Sequence, residues 1–245
     1  MSMTDKRFAG KLGEEYNLRA KAVPHHEEMQ QLVWQMIAKC LSAISSIEPN
    51  PLILELGCGT WSTTYKILSQ CPDATIHAVD NEKVMLDQAN SNLHQFINEH
   101  RCELFERDIL RYLHVSQFRV FGYNVIASAM TIHNFDQQYR SDVLKKIYWS
   151  LSQDWIFINA DKYALDDPVA HQASLDRQVD QFKKVAQEHD NPAFEKEWTD
   201  HYLRDNEPDL LMKQQEAIDE MKKIGFKDIQ IIFREQMEAI LVARK

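Results

Sequence analysis

The sequence predicts an α/β protein built on an open, mostly parallel seven-stranded sheet with one antiparallel strand and helices on both faces. Three observations lead there. Five short apolar runs alternate with helical patterns between residues 52 and 161, the rhythm of parallel strands joined by right-handed crossover helices. Two further strand-like runs, 228–233 and 239–243, have a short connection and read as an antiparallel pair. The first run enters a Gly57-Cys58-Gly59 turn in a chain with only six glycines, so a backbone reason for those glycines is expected. At 245 residues, 44% hydrophobic and 27% charged, the chain suits one globular domain.

The elements follow in order. Residues 1–24 read as a polar lead-in, and Pro24 marks the start of a helix. Met29, Leu32, Val33, Met36, Ile37 and Leu41 then recur at helical spacing to about residue 45. Residues 52–56 form a buried strand, 61–70 a helix, and 75–79 a second strand ending in Asp80. A helix over 82–98 carries Val84, Leu86, Ala89, Leu93 and Phe96. The third strand is 102–106 and the fourth the very apolar 123–130. A helix over 138–151 and a fifth strand over 155–160 follow. After Asp161 the rhythm changes: 166–190 and 193–204 are polar helices separated by Pro192. Residues 208–223 form a further helix, closed by Gly225. The expected single domain, 1–245, divides into an N-terminal helical cap (1–48), a core (49–162), a helical insertion over the open sheet edge (163–206), and a C-terminal helix with the strand pair (207–245).

Charge and cysteine usage exclude several classes. A net charge of −9 argues against long nucleic-acid partners. No apolar stretch approaches the roughly 18 residues of a membrane span, and the first residues lack an apolar signal core. A cytoplasmic protein is expected. The four cysteines show no Cys-x-x-Cys spacing and read as reduced thiols. His171, His189 and His201 are separated by 18 and 12 residues, which matches no metal-ligand motif. Neither a Gly-x-Ser-x-Gly elbow nor a phosphate-binding Gly-Lys-Ser/Thr loop occurs.

The chemistry concentrates at the strand ends. The run Leu52 to Leu56 leads through Gly57 and Gly59 into a helix whose first N–H groups face a ligand. Asp80 stands 21 residues beyond Gly59, where a carboxylate takes both ribose hydroxyls or caps the next helix. Asp108 follows the third strand, beside an adenine edge or as a cap. Glu55 is costly to bury without a partner, which makes it a ligand contact or a structural acceptor. His133, Asn159 and Asp161 lie at the carboxyl edge of the fourth and fifth strands, where ligands bind in open α/β sheets. His133 is the candidate general base.

These segments resemble the class I S-adenosylmethionine-dependent methyltransferases. Glu55-Leu56-Gly57-Cys58-Gly59-Thr60 is similar to that family's first motif, and Ala78-Val79-Asp80 to its second. Arg107-Asp108-Ile109 looks like the loop along adenine. The stretch Tyr123 to Met130, followed by Thr131-Ile132-His133-Asn134-Phe135, looks like the fourth motif entering the active-site mouth. The resemblance implies a Rossmann-like fold and S-adenosylmethionine as cofactor, with S-adenosylhomocysteine as product. It further implies methyl transfer to a small-molecule oxygen or nitrogen nucleophile, in a monomer or homodimer. It places Gly57, Cys58 and Gly59 along the methionine portion, Asp80 on ribose, and Asp108 with Ile109 beside adenine. Glu55, Asn81, Met85, Ser128 and His133 complete the implied cofactor set. His133 and Asn159 are the implied catalytic residues, with His26, Trp61, Asp161 and Tyr202 facing the substrate.

Within that family the layout is shared with carboxy-S-adenosylmethionine synthases, which act in transfer-RNA wobble modification. Asn159-Ala160-Asp161, the segment Trp198 to Leu203 and the end from Gly225 carry this likeness. Val23-Pro24-His25-His26 looks like that group's Val-Pro-Gly-Tyr with two replacements. Such an activity needs a cation near an extra carboxylate, with Arg19, Arg177 and Arg204 as candidates. Trp61 occupies the usual place of a third glycine. Its ring is expected to narrow the methionine end or to pack under the loop, and narrowing would favour a catalytically silent binding protein. A segment 151–154 replaces the family's usual Pro-Gly turn. A nicotinamide-dependent oxidoreductase is disfavoured because Ser62 stands at the last glycine of its fingerprint.

Overall fold

The computed structural model describes residues 15–42, 49–116 and 122–245. The lead-in over 1–14 and the expected helix end at 43–45 lie outside the described residues. Seven strands form one sheet in the order β3-β2-β1-β4-β5-β7-β6. They are β1 (Leu52–Leu56), β2 (Thr75–Asp80), β3 (Cys102–Glu106), β4 (Tyr123–Ala129), β5 (Leu151–Lys162), β6 (Lys227–Glu235) and β7 (Glu238–Arg244). The first five run parallel, and β7 runs antiparallel to both β5 and β6.

Strand alternation sorts the apolar residues into two layers. Ile53, Ile76, Ala78, Val125, Ala127 and Ile158 face one side. There they meet Val33 and Ile37 of α2 (His26–Ser42), Ile67 of α3 (Ser62–Gln70) and Ala89 of α4 (Lys83–Asn92). Leu54, Leu56, Val79, Ile126 and Phe157 face the other side. They meet Leu113 of α6 (Ile109–Ser116), Val143 and Ile147 of α7 (Gln137–Ser150), and Met221 of α10 (Gln214–Ile224). Because both faces are covered, the central strands read as near-continuous apolar runs.

The structure corrects several expected boundaries. The helix over 82–98 divides into α4 and a short α5 (His94–Asn98). Ser91 and Asn92 bond back to the carbonyls of Asp87 and Gln88 just before the break, a local competition that weakens helix interiors. Strand β5 begins at Leu151, so residues 151–154 are strand rather than turn, with a register shift opposite Tyr123 and Val125. Helix α10 begins at Gln214, not at 208. Residues before it are held as turns: the Arg140 guanidinium donates to Leu210 O and Phe135 O at 2.7 and 2.8 Å, and Gln137 N donates to Asp209 O.

The expected lead-in contains a helix, α1 (Tyr16–Ala22), packed on the insertion. The insertion itself is α8 (Pro168–Glu188) and α9 (Pro192–Arg204), each with proline in its first turn and an Asp167 or Asn191 side chain capping it. These helices are not merely polar. Leu175, Phe182, Phe194, Trp198 and Tyr202 form a third core with Ala22 and Met237. Trp198 is fully buried, whereas Trp149 is 64% exposed. Trp198→Ala is expected to cost about 3–5 kcal/mol in urea denaturation, against less than about 0.5 kcal/mol for Trp149→Ala.

Candidate active site

Strand order reverses between β1 and β4, and the crevice beyond their carboxyl ends is where open α/β sheets take ligands. The loop leaving β1 is bound to β2: Gly57 N and Cys58 N both donate to Val79 O, at 2.8 and 3.1 Å. Gly57 has φ +69°, and a Cβ there would lie 2.2 Å from Thr131 Oγ1. Gly59, at φ +58°, donates its N–H to Asp80 Oδ2 at 2.9 Å. The other oxygen of Asp80 accepts from Glu82 N. Burial raises the Asp80 carboxyl, while these backbone donors draw it back down.

Glu55 points elsewhere. It is buried and accepts a 2.5 Å bond from Thr64 Oγ1 of α3. Burial pushes its carboxyl up to about 8, opposed by the Thr64 hydroxyl.

A cavity of about 350 Å³ opens beside the glycine loop. One wall carries Asp80, Asn81 and Met85. Another carries Asp108 and Ile109, where Asp108 accepts from Arg111 N and from the Tyr139 hydroxyl at 2.7 Å. Burial, then the bond to Asp108, pushes the Tyr139 hydroxyl up. Met130, Thr131, Asn134 and Phe135 line the β4 side. Tyr16 of α1 and Arg204, Glu207, Asp209 and Leu210 complete the enclosure.

Behind the cavity lies a buried ionic cluster. His133 Nδ1 contacts Asp161, and its Nε2 stands 3.7 Å from Asp205. Lys162 Nζ donates to Asp205 at 2.7 Å and sits 3.8 Å from the Tyr202 ring centroid. Burial pushes the Asp205 carboxyl up, but Lys162 and then His133 and His201 outweigh it and hold the carboxyl well below the usual range. Burial lowers the Lys162 ammonium.

The expected site residues therefore separate. Gly57, Gly59, Asp80, Asn81, Met85, Asp108 and Ile109 line the cavity. Glu55, Cys58, Ser128, His133, Asn159, His26, Trp61, Asp161 and Tyr202 do not. His133 is 3% exposed with both ring nitrogens toward carboxylates. Asn159 spends its amide on the Tyr163 hydroxyl. Ser128 is 1% exposed within β4, and the Cys58 thiol is buried. His26 contacts Gln30, one turn along α2. Trp61 keeps a glycine-like backbone, φ 140°, at a cost of order 1–3 kcal/mol. Its ring packs edge-on against Tyr65, 5.3 Å between centroids, so it does not narrow the cavity.

Among the lining residues, sequence reasoning missed Tyr16, Asp136, Tyr139, Glu207, Asp209 and Leu210. Only Asp136 carried a local signal, as the cap of α7 accepting from Tyr139 N. Of the three candidate cations, Arg204 lines the cavity, Arg19 is buried nearby and Arg177 is exposed.

Residues 53–154 match a family described as a methyltransferase domain. That match, the fold and the relatives support a class I S-adenosylmethionine-dependent methyltransferase family for this chain. The carboxy-S-adenosyl-L-methionine synthase of Helicobacter pylori (strain Shi470) is 26% identical over 227 residues, 92% of this chain and 87% of that protein. The protein of the same name from Nautilia profundicola is 23% identical over 225 residues, 92% of this chain and 88% of its own. Two solved structures share this chain's fold. The CurJ carbon methyltransferase aligns with TM-score 0.67 at 17% identity over 98% of this chain. An O-methyltransferase family protein from Burkholderia thailandensis aligns with TM-score 0.61 at 16% identity over 98% of this chain. The chain spans 61% of the length of each of these two structures. No helix among its described residues is long and apolar enough to cross a membrane. S-adenosylmethionine suits its cavity: the glycine loop leaves backbone room, and carboxylates stand beside the apolar flanks Met85 and Ile109.

The titration of Glu55 gives a stability test. Its folded value near 8 lies above the ordinary 4.5. Its contribution to stability is therefore full below about pH 4.5 and is lost as pH rises through about 8. Across that window the wild type is expected to lose urea stability relative to Glu55→Gln.

Proposed function

We propose that this enzyme transfers the methyl group of S-adenosylmethionine to an oxygen or nitrogen of a small molecule in the cytoplasm. The enclosed cavity at the point where strand order reverses carries this reading, with Asp80 and Asp108 on its walls. Asp80, tied to the loop by Gly59 N, is the ribose acceptor, and Asp108 with Ile109 flanks the adenine. Bound there, the cofactor supplies an electrophilic methyl on a good leaving group. The protein then acts mainly by positioning and by keeping water out. The ionic cluster of His133, Asp161, Lys162 and Asp205 fastens the loop after β4 to the end of β5 and to α9. Its part is to hold the cavity wall rather than to accept a substrate proton.

A second reading, carboxylation of the cofactor as in the carboxy-S-adenosylmethionine synthases, is favoured by the relatives that align over 92% of the chain and by Arg204 on the cavity wall. A nucleoside extracted from the purified protein and heavier than S-adenosylmethionine by a carboxylate would select it. The silent reading loses its support, because Trp61 does not line the cavity.

Calorimetry with S-adenosylmethionine and S-adenosylhomocysteine tests the cofactor site. Asp80→Ala is expected to weaken both by about tenfold or more, at least about 1.4 kcal/mol. Unaltered affinity in a folded variant would remove Asp80 from the site.

A further inference from the structure

Arg19 of α1 is 3% exposed, yet among the described residues no carboxylate lies within ion-pair distance of it. Among the described residues its one side-chain hydrogen bond is a 3.5 Å contact to the Tyr16 hydroxyl, and its Nε has no partner. Its guanidinium carbon lies 5.4 Å from the Tyr16 ring centroid and 5.5 Å from that of Trp198. The nearby carboxylates are committed elsewhere: Asp80 to Gly59 N and Glu82 N, Asp161 to His133 and Lys162 N, Asp205 to Lys162 Nζ. Two nearby basic groups offer Arg19 no partner. Lys162 is a second buried cation, its ammonium lowered by burial and further by Arg19. His26 offers no charge, since burial and then Arg19 push its imidazole down to about 4.

A guanidinium cannot shed its proton to relieve burial. An uncompensated buried charge costs several kcal/mol, more than two flanking aromatic rings return. A ligand anion resolves the conflict. Arg19 lies beside the cavity rather than on its wall: Tyr16, one turn earlier on the same helix face, lines the cavity and approaches to 3.8 Å of a Cβ built on Gly59.

We propose that Arg19 is the carboxylate-binding residue of the cavity, its planar fork held between Tyr16 and Trp198 to receive a carboxylate from the bound ligands. This rests on the cofactor reading above. Two sources share the chemistry: the amino-acid end of the cofactor, and a carboxylate on the second substrate.

The experiment is calorimetry on the full chain, wild type against Arg19→Met. The probes are S-adenosylhomocysteine, 5′-methylthioadenosine (the same nucleoside thioether without the amino-acid end) and malonate, the last with and without nucleoside. A loss of about tenfold or more for S-adenosylhomocysteine, with methylthioadenosine unchanged, assigns the cofactor carboxylate to Arg19. Unchanged S-adenosylhomocysteine, with malonate bound by the wild type and not by the variant, assigns a second-substrate carboxylate. No change with either carboxylate probe overturns the proposal. If the wild type binds neither nucleoside, the cofactor reading fails by itself, and the malonate arm alone decides Arg19. Ligand-free melting adds a readout that a structural role would move the other way: Arg19→Met is expected to melt no lower than the wild type. Should that variant fail to fold, Arg19→Lys, which keeps the charge and loses the fork, is read on the same arms.

Discussion

The rest of the molecule depends on how closely the chain passes at Gly57. The turn after β1 is bonded to Val79 O of β2 while Thr131, just past β4, occupies the space a side chain would need. Three parallel strands thus converge on one residue without a Cβ. That contact sets the distance between the glycine loop and the segment after β4, which are opposite sides of the cavity. It also explains why a left-handed backbone is used there, since only glycine takes it without strain. Trp61, four residues later in the same loop, takes an unfavourable φ instead, and its ring is held by Tyr65.

Charge is arranged in two zones. The cavity walls carry carboxylates already engaged by backbone or hydroxyl donors, such as Asp80 and Asp108. Behind them, His133, Asp161, Lys162 and Asp205 satisfy one another away from water. The low exposure of this second zone makes its geometry stiff, because a partner lost there would leave a buried charge alone. Rigid walls are what a reaction governed by alignment requires.

The central strands were legible because they are buried on both faces and so appear as apolar runs, and both 52–56 and the partly exposed edge strand 102–106 fall on the observed bounds. The glycine loop, Asp80 and Asp108 were legible as well, since their spacing is local. What escaped reading depends on distant partners. Helix α1 looked like a tail because Tyr16 and Arg19 are polar, yet their packing comes from Trp198, far along the chain. His133 and Asp161 occupy the expected edge, but which way they face is decided by Lys162 and Asp205. The loop carrying Asp209 and Leu210 was read as helix, and Arg140 on α7 overrides that local preference.

The third core has an implication for motion. Helices α1, α8 and α9 share their own aromatic cluster of Phe182, Phe194, Trp198 and Tyr202 rather than joining the layers that sandwich the sheet. A unit with a core of its own can open as a block, with a free energy below that of global unfolding. Amide exchange in α1 and α9 would then quicken together while β1 and β4 stay protected. Tyr16 and Arg204 belong to this block and Gly57 to the sheet, so the cavity is bounded by two bodies of unequal rigidity. Admission of ligand would be governed by the weaker of them.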